Sequence, residues 1–243
     1  MAIKAFDYYL DNIREMQKTS SSKNISVVPV KLIMAGGYDP RVIENVKHLQ
    51  ELVGLSKKLG LKVHTVWSPS HKQTGTNDNQ DDIENSQVLF LPSFTENQRN
   101  YLFSKSKCVL YTPTNEHLGI VPLEAMYNKV PVIAIASGGP KETVIDGETG
   151  YLVPIPVSKN NTKTSNNDDD DGNGFIESIS PEDKVLMIKD MAKYIGKVLE
   201  NSKVAGEMGR KGRDRVERLF NYNAFGKNVE RMLIDMLKHD GKP

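Results

Sequence analysis

A single cysteine, Cys108, stands among 243 residues. That excludes an internal disulfide and a multi-thiolate metal site, and it fits a reducing compartment better than a secreted one. An excess of either charge is also lacking. The 32 Lys+Arg and 31 Asp+Glu leave a formal net charge of +1, without the positive surplus on which non-specific nucleic-acid binding rests. No nucleic-acid partner is expected. Apolar runs are short: stretches such as Val130 to Ala136 and Val88 to Leu91 fall far below the roughly 20 residues that cross a bilayer. At the N-terminus, Ile3, Phe6, Tyr9 or Leu10, and Ile13 follow helical spacing, which is not the basic start and apolar core of a signal peptide. Neither a Walker A loop nor a GxGxxG turn occurs, which argues against a P-loop ATPase or an ordinary dinucleotide-binding dehydrogenase.

What is present is an alternation of β-rich and helical segments. After the N-terminal helix, Val27 to Ala35 reads as a buried strand running into Gly36 and Gly37. Asp39 then offers an N-cap and Pro40 a first helical position for a helix ending near Gly60. Strands follow at 62–67, 88–91, 108–112 and 130–135, with helices at 96–106 and 121–128. This order predicts an α/β fold, a Rossmann-like parallel sheet with helices on both faces. One core is expected over residues 1–154. Residues 68–85, with the string TGTNDNQDD, and 155–180, with SNNDDDDGNG, hold too few core formers to repay ordering, and both read as disordered insertions. Ser180, Pro181 and Asp183 open helices that complete the domain over 181–243.

Chemistry concentrates between Tyr111 and Val153. Glu116 and Glu124 are separated by seven residues, with a strand end before the first and a helix start between them. Ligands of open α/β sheets bind at the carboxyl ends of the strands. Amides around Gly119, Ile120 and Val121 open the next helix, where unsatisfied N–H groups and the helix dipole favour an anion. Pro122 costs no helical bond in that first turn. A second glycine-rich turn, Ser137, Gly138 and Gly139, follows the next strand. Together the two turns suit a nucleotide diphosphate, with the carboxylates, which repel phosphate, accepting hydrogen bonds from sugar hydroxyls.

The string Glu116-His117-Leu118-Gly119-Ile120-Val121-Pro122-Leu123-Glu124 resembles the E-x7-E motif of the retaining GT-B glycosyltransferases of family 4. Ala35-Gly36-Gly37-Tyr38-Asp39, Leu91-Pro92-Ser93-Phe94, Tyr111-Thr112-Pro113 and Ser137-Gly138-Gly139-Pro140 are similar, more narrowly, to the fungal and animal α-1,3/1,6-mannosyltransferases of dolichol-linked oligosaccharide assembly. The resemblance covers about residues 1–154 and implies the C-terminal, donor-binding half of a GT-B fold. It implies a GDP-mannose donor, no cofactor and no bound metal. It also implies a lipid-linked oligosaccharide acceptor at the cytosolic face of the endoplasmic reticulum, with peripheral membrane contact.

By that resemblance Glu116 is the catalytic residue and touches the donor hexose. Gly119, Ile120 and Val121 line sugar and phosphate, Glu124 binds the ribose hydroxyls, and Pro92, Ser93 and Phe94 lie against the base. His117, Gly36, Gly37, Ser137, Gly138 and Gly139 complete the expected donor site. The family's Asn-Arg-Phe/Tyr-x-x-Lys-Lys segment, whose cations hold the diphosphate, does not occur ahead of Ala5-Phe6, and Leu118 replaces the Phe usual in relatives. The expectation is a donor-binding fragment that lacks its first strand and the acceptor-binding domain, and transfers nothing alone. A non-catalytic nucleotide-binding or interaction module, and a family 4 enzyme using a UDP-sugar, are the alternatives.

Other features read as structural. Cys108, between apolar neighbours, suits a packed thiol. Asp168 to Asp171 lack the alternating spacing and distal Glu of a calcium loop. His48, His64 and His71 have no second ligand at metal-binding spacing. Arg210, Lys211, Arg213, Arg215 and Arg218 interleave with Asp214 and Glu217, as on a solvated helix face rather than a lipid-binding one.

Overall fold

The computed structural model describes residues 1–19, 29–67, 79–114, 116–156 and 179–239. Elements follow in the order α1 (Ala2–Thr19), β1 (Leu32–Gly36), α2 (Ile43–Lys58), β2 (Val63–Thr65), α3 (Gln80–Asn85), β3 (Val88–Pro92) and α4 (Glu96–Lys105). Then come β4 (Val109–Tyr111), α5 (Ile120–Tyr127), β5 (Val132–Ile135), α6 (Pro140–Thr143), β6 (Gly150–Val153), α7 (Pro181–Glu200), α8 (Ser202–Leu219) and α9 (Tyr222–His239). The expected α/β class holds, and every strand pair is parallel. The chain divides into two compact units, Met1–Leu102 and Phe103–Pro243. The segment 1–154 is thus distributed over both.

In the first unit the sheet order is β1-β3-β2. Central β3, VLFLP, is almost wholly buried, the apolar run expected of a parallel strand covered on both faces. Helix α1 buries Ala2, Ile3, Ala5, Phe6 and Tyr9, a stripe at helical spacing. Leu10 and Ile13 continue the face only half-buried, between exposed neighbours.

Helix α2 begins at Ile43, with Val42 as its N-cap, three residues later than expected. Asp39 caps a preceding turn instead: its carbonyl accepts the Val42 amide at 3.0 Å, and its carboxylate accepts the Arg41 amide at 2.9 Å and guanidinium at 2.7 Å. The helix closes at Gly60, which has φ +74°. The loop expected over 68–85 is corrected at its end: Gln80–Asn85 is helical, because the Asn79 side chain accepts the Asp81 amide and Lys31 donates to the Ile83 and Ser86 carbonyls. Residues 68–78 of that expected loop lie outside the described residues, as do 157–178 of the expected 155–180 insertion, Asp168 to Asp171 and His71.

In the second unit the order is β4-β5-β6. All four residues of central β5 are buried, each large aliphatic there stabilising by about 1.5–3 kcal/mol. Helix α7 contributes Met187 and Met191, both fully buried. Its start matches the expected cap, with the Ser180 hydroxyl accepting the Asp183 amide at 3.0 Å.

Helix α8 lies close under α5 because it presents glycines. A Cβ at Gly209 would overlap the Lys129 carbonyl, and one at Gly212 would stand 3.1 Å from Met126 Cγ. Two of its arginines are spoken for. Arg213 donates to the Tyr127 carbonyl at 3.0 Å and lies over the Tyr127 ring; Arg215 donates to the Thr143 and Glu142 carbonyls at 2.9 and 2.7 Å. These bonds occupy carbonyls at the C-terminal ends of α5 and α6, which helix geometry leaves without partners. The solvated face read from the sequence is in part a clamp. Among the described residues no helix is long and apolar enough to cross a membrane.

Candidate functional site

Parallel pairing of β4 with β5, Tyr111 in register with Ala134, sets two strand ends side by side. The loop after β4 turns into α5 at Gly119, which has φ +71° and ψ 89°. That left-handed conformation is readily reached only without a Cβ. Space demands glycine too: a Cβ there would lie 3.0 Å from the Tyr111 hydroxyl and 3.2 Å from its ring. No side chain caps α5, so its first-turn amides at Ile120 and Val121 keep their donors for a ligand. Pro122 is buried in this turn. The helix starts one residue earlier than expected, which places Glu124 four residues beyond Ile120, on the same face at the start of the second turn. Glu124 is half-buried, whereas Glu116, His117 and Ile120 are exposed.

The second glycine-rich turn is seated directly on this loop. The Gly139 amide donates to the Glu116 carbonyl at 2.9 Å, and the Ser137 hydroxyl donates to the Thr114 carbonyl at 2.6 Å. A Cβ at Gly138 would overlap the Glu116 carbonyl oxygen, and one at Gly139 the Leu118 carbonyl oxygen. Glu116, His117, Gly119, Ile120, Val121, Glu124, Ser137, Gly138 and Gly139 therefore belong to one continuous backbone assembly at the carboxyl ends of β4 and β5. Beneath it the Tyr111 ring packs under Gly119. Burial first, then the nearby Glu116 charge, pushes the phenol up to about 12.

The remaining expected residues form a separate group in the first unit. Gly36 and Pro92 are register partners at the ends of β1 and β3. Ser93 takes φ +61°, and its amide donates to the Gly36 carbonyl at 2.8 Å. Its hydroxyl donates to the Tyr38 carbonyl at 2.9 Å and accepts the Tyr38 amide at 3.2 Å. Phe94 is half-buried beside it. Gly36, Gly37, Tyr38, His48 and Pro92 border a cleft of about 160 Å³. Tyr38 also meets Trp67 edge-on at 5.4 Å between ring centroids. Sequence reasoning missed the packing of Tyr111 under Gly119 and the role of Ser93 as a linchpin of the 36–38 turn, because neither pairing has a spacing signature. Cys108 is half-buried between its apolar neighbours, and desolvation raises its thiol to about 12.

Residues 80–164 match the family described as glycosyl transferases group 1. The chain carries a group 1 glycosyltransferase domain. The match takes in both glycine-rich turns and the Pro92–Phe94 loop, but not Gly36 and Gly37. Over 209 residues, 85% of this chain and 37% of the relative, it is 38% identical to the alpha-1,3/1,6-mannosyltransferase ALG2 of Rhizomucor pusillus. Against the human protein of the same name the identity is 36%, over 86% of this chain and 37% of the relative. The Schizosaccharomyces pombe protein shares 48% over 126 residues, 51% of this chain and 23% of its own. The chain thus spans less than half the length of these curated relatives.

Among solved structures, sucrose-phosphate synthase from Thermosynechococcus elongatus superimposes with TM-score 0.57 at 21% identity, covering 98% of this chain and 42% of that one. Anabaena Alr3699/HepE, solved with UDP and glucose, gives 0.53 at 16% identity, covering 95% of this chain and 44% of that one. These likenesses bear on fold alone. The group 1 domain has the fold of a GT-B glycosyltransferase C-terminal half, as its sequence implied.

Proposed function

We propose that the chain binds GDP-mannose and is the donor half of a retaining mannosyltransferase that elongates a dolichyl-diphosphate-linked oligosaccharide. The observation that carries this reading is the seating of the 137–139 turn on the 116–119 loop around the open N-terminus of α5. It is supported by identities of 31–48% to relatives named alpha-1,3/1,6-mannosyltransferases.

In this reading the amides of Ile120 and Val121, with the positive end of the α5 dipole, face the diphosphate and stabilise the charge that grows on it as the sugar leaves. Backbone dipoles do this work, and no resident metal is invoked. Glu116 accepts from a hexose hydroxyl. Glu124, one turn into α5, accepts from the ribose hydroxyls. Transfer belongs to the whole enzyme at the cytosolic face of the endoplasmic reticulum. Donor binding belongs to this chain.

Calorimetric titration of the purified chain with GDP-mannose, GDP and UDP-glucose in parallel tests the reading. Saturable binding that prefers the guanine nucleotides is expected. A preference for UDP-glucose would replace the donor, and no binding by the folded chain would remove the donor-half assignment.

A further inference from the structure

We infer that strand β1 is a docking edge for a second copy of this chain, the two β1 strands pairing antiparallel about a two-fold axis at Met34.

β1 is the longest strand at an edge of either sheet, five residues against four for β6 and three each for β2 and β4. Among the described residues its only strand partner is β3. The direction of its backbone groups follows from that ladder. The Leu32 amide donates to the Gln87 carbonyl at 2.9 Å, and the Gly36 carbonyl accepts the Ser93 amide at 2.8 Å. In a parallel pair alternate residues bond the same neighbour, so Leu32, Met34 and Gly36 face β3. The amides and carbonyls of Ile33 and Ala35 therefore point to the open edge. Both residues are exposed, Ile33 by 40%.

Sheet edges are ordinarily kept apart by charge, proline or a bulge. From Leu32 to Tyr38 the chain has neither a charged residue nor a proline. Lys31, just before, is committed to its own fold, its ammonium donating to the Ile83 and Ser86 carbonyls at 2.6 and 3.0 Å. Just beyond, Asp39 and Arg41 neutralise each other at 2.7 Å. The edge thus meets its own copy without like-charge repulsion.

It is also self-complementary, which a two-fold contact requires. Met34 is the midpoint of β1, so an axis there overlaps the whole strand. Ile33 then stands opposite Ala35 of the second copy, both with outward groups, and the pair exchanges both N–H···O bonds. Symmetry repeats the exchange on the other side of the axis. A slip of one residue would set outward groups against residues already bonded to β3. Met34 itself falls at a non-hydrogen-bonded position, where facing side chains come closest. It borders the cleft with Leu49, Leu52 and Phe90, so the contact extends an apolar surface.

Sedimentation velocity of the full chain over a concentration series tests the mass. A concentration-dependent dimer is expected; a monomer throughout, or larger open assemblies, would overturn the inference. Ile33→Lys puts charge on the pairing edge. Ala35→Pro deletes an outward amide and spares the ladder to β3, as proline does on edge strands. Both variants are expected to sediment as monomers with unchanged far-ultraviolet circular dichroism. Leu237→Lys, on α9 and 75% exposed in the parent, should dimerise like the parent. A dimer lost in Leu237→Lys and kept in Ile33→Lys would place the contact on α9 and overturn the inference. The register is read by oxidation in a Cys108→Ala background. Met34→Cys should form an intermolecular disulfide, because Cα atoms of such a facing pair lie about 4.5 Å apart, within disulfide reach. Ile33→Cys should not, its copy lying diagonally about 7–8 Å away. Crosslinking at 33 in place of 34, or at neither, would overturn the two-fold at Met34.

Discussion

The Gly139 amide donates to the Glu116 carbonyl at 2.9 Å, so the turn after β5 carries the loop after β4. Gly139 itself has an ordinary helical backbone, with φ −51°, so its requirement for glycine is one of space. Gly139→Ala puts a methyl group into the Leu118 carbonyl, and overpacking of this kind costs about 1–3 kcal/mol. A lower urea midpoint is expected, together with weaker GDP-mannose binding. An unchanged midpoint would show that the loops are not interlocked.

Glu124 sits one turn into α5, half-buried, where it can accept hydroxyl hydrogen bonds without crowding the amides of Ile120 and Val121. Glu124→Ala should weaken binding of both GDP-mannose and GDP about tenfold, equivalent to about 1.4 kcal/mol, because both ligands carry the ribose. Losing affinity for GDP-mannose alone would move Glu124 from the ribose to the hexose.

Arg215 gives two hydrogen bonds to the carbonyls that close α6. Replacing it with Met keeps much of the aliphatic packing and deletes the donors. The expected loss is about 1–3 kcal/mol in chemical denaturation. An unchanged stability would return Arg215 to the solvated face that the sequence alone implies.

The legible parts of this chain were those with local periodicity. Alternating apolar strands and helices fixed the α/β class, and the Ser180-Pro181-x-Asp183 signature located the start of α7. The glycine-rich turns and the E-x7-E spacing located the assembly at β4 and β5, since strand ends and helix starts are encoded by nearby residues. What escaped was tertiary. Arg213 and Arg215 look solvated in a run of mixed charge, and only packing reveals the carbonyls of Tyr127, Glu142 and Thr143 beneath them. Tyr111 reads as one more strand aromatic until the loop lays Gly119 over its ring. Asp39 and Pro40 carry a convincing helix-start signal, yet the Arg41 guanidinium holds the Asp39 carboxylate in a separate turn and delays α2. Likewise the polar string before β3 conceals α3, whose ordering comes from Lys31.

Cys108 and Tyr111 both hold their protons more tightly in the folded chain, chiefly through burial. The unfolded chain releases a proton from a thiol near pH 9 and a phenol near pH 10, while the folded chain keeps both until about 12. Stability from these groups is therefore fully present below about pH 9 and is lost progressively as pH rises toward 12. Denaturation midpoints should fall as pH rises above about 9, and less steeply in Cys108→Ala. A thiol reagent at pH 8 should modify Cys108 more slowly in the native chain than after denaturation. Equal rates in the two states would contradict a desolvated thiol.

The most direct test of the donor site follows the backbone amides by NMR as GDP-mannose is added to the ¹⁵N-labelled chain. The account predicts saturable shifts centred on Gly119, Ile120, Val121, Gly138 and Gly139, with the exposed helix α9 silent. Shifts absent from those five amides, or largest elsewhere while the ligand binds, would contradict it.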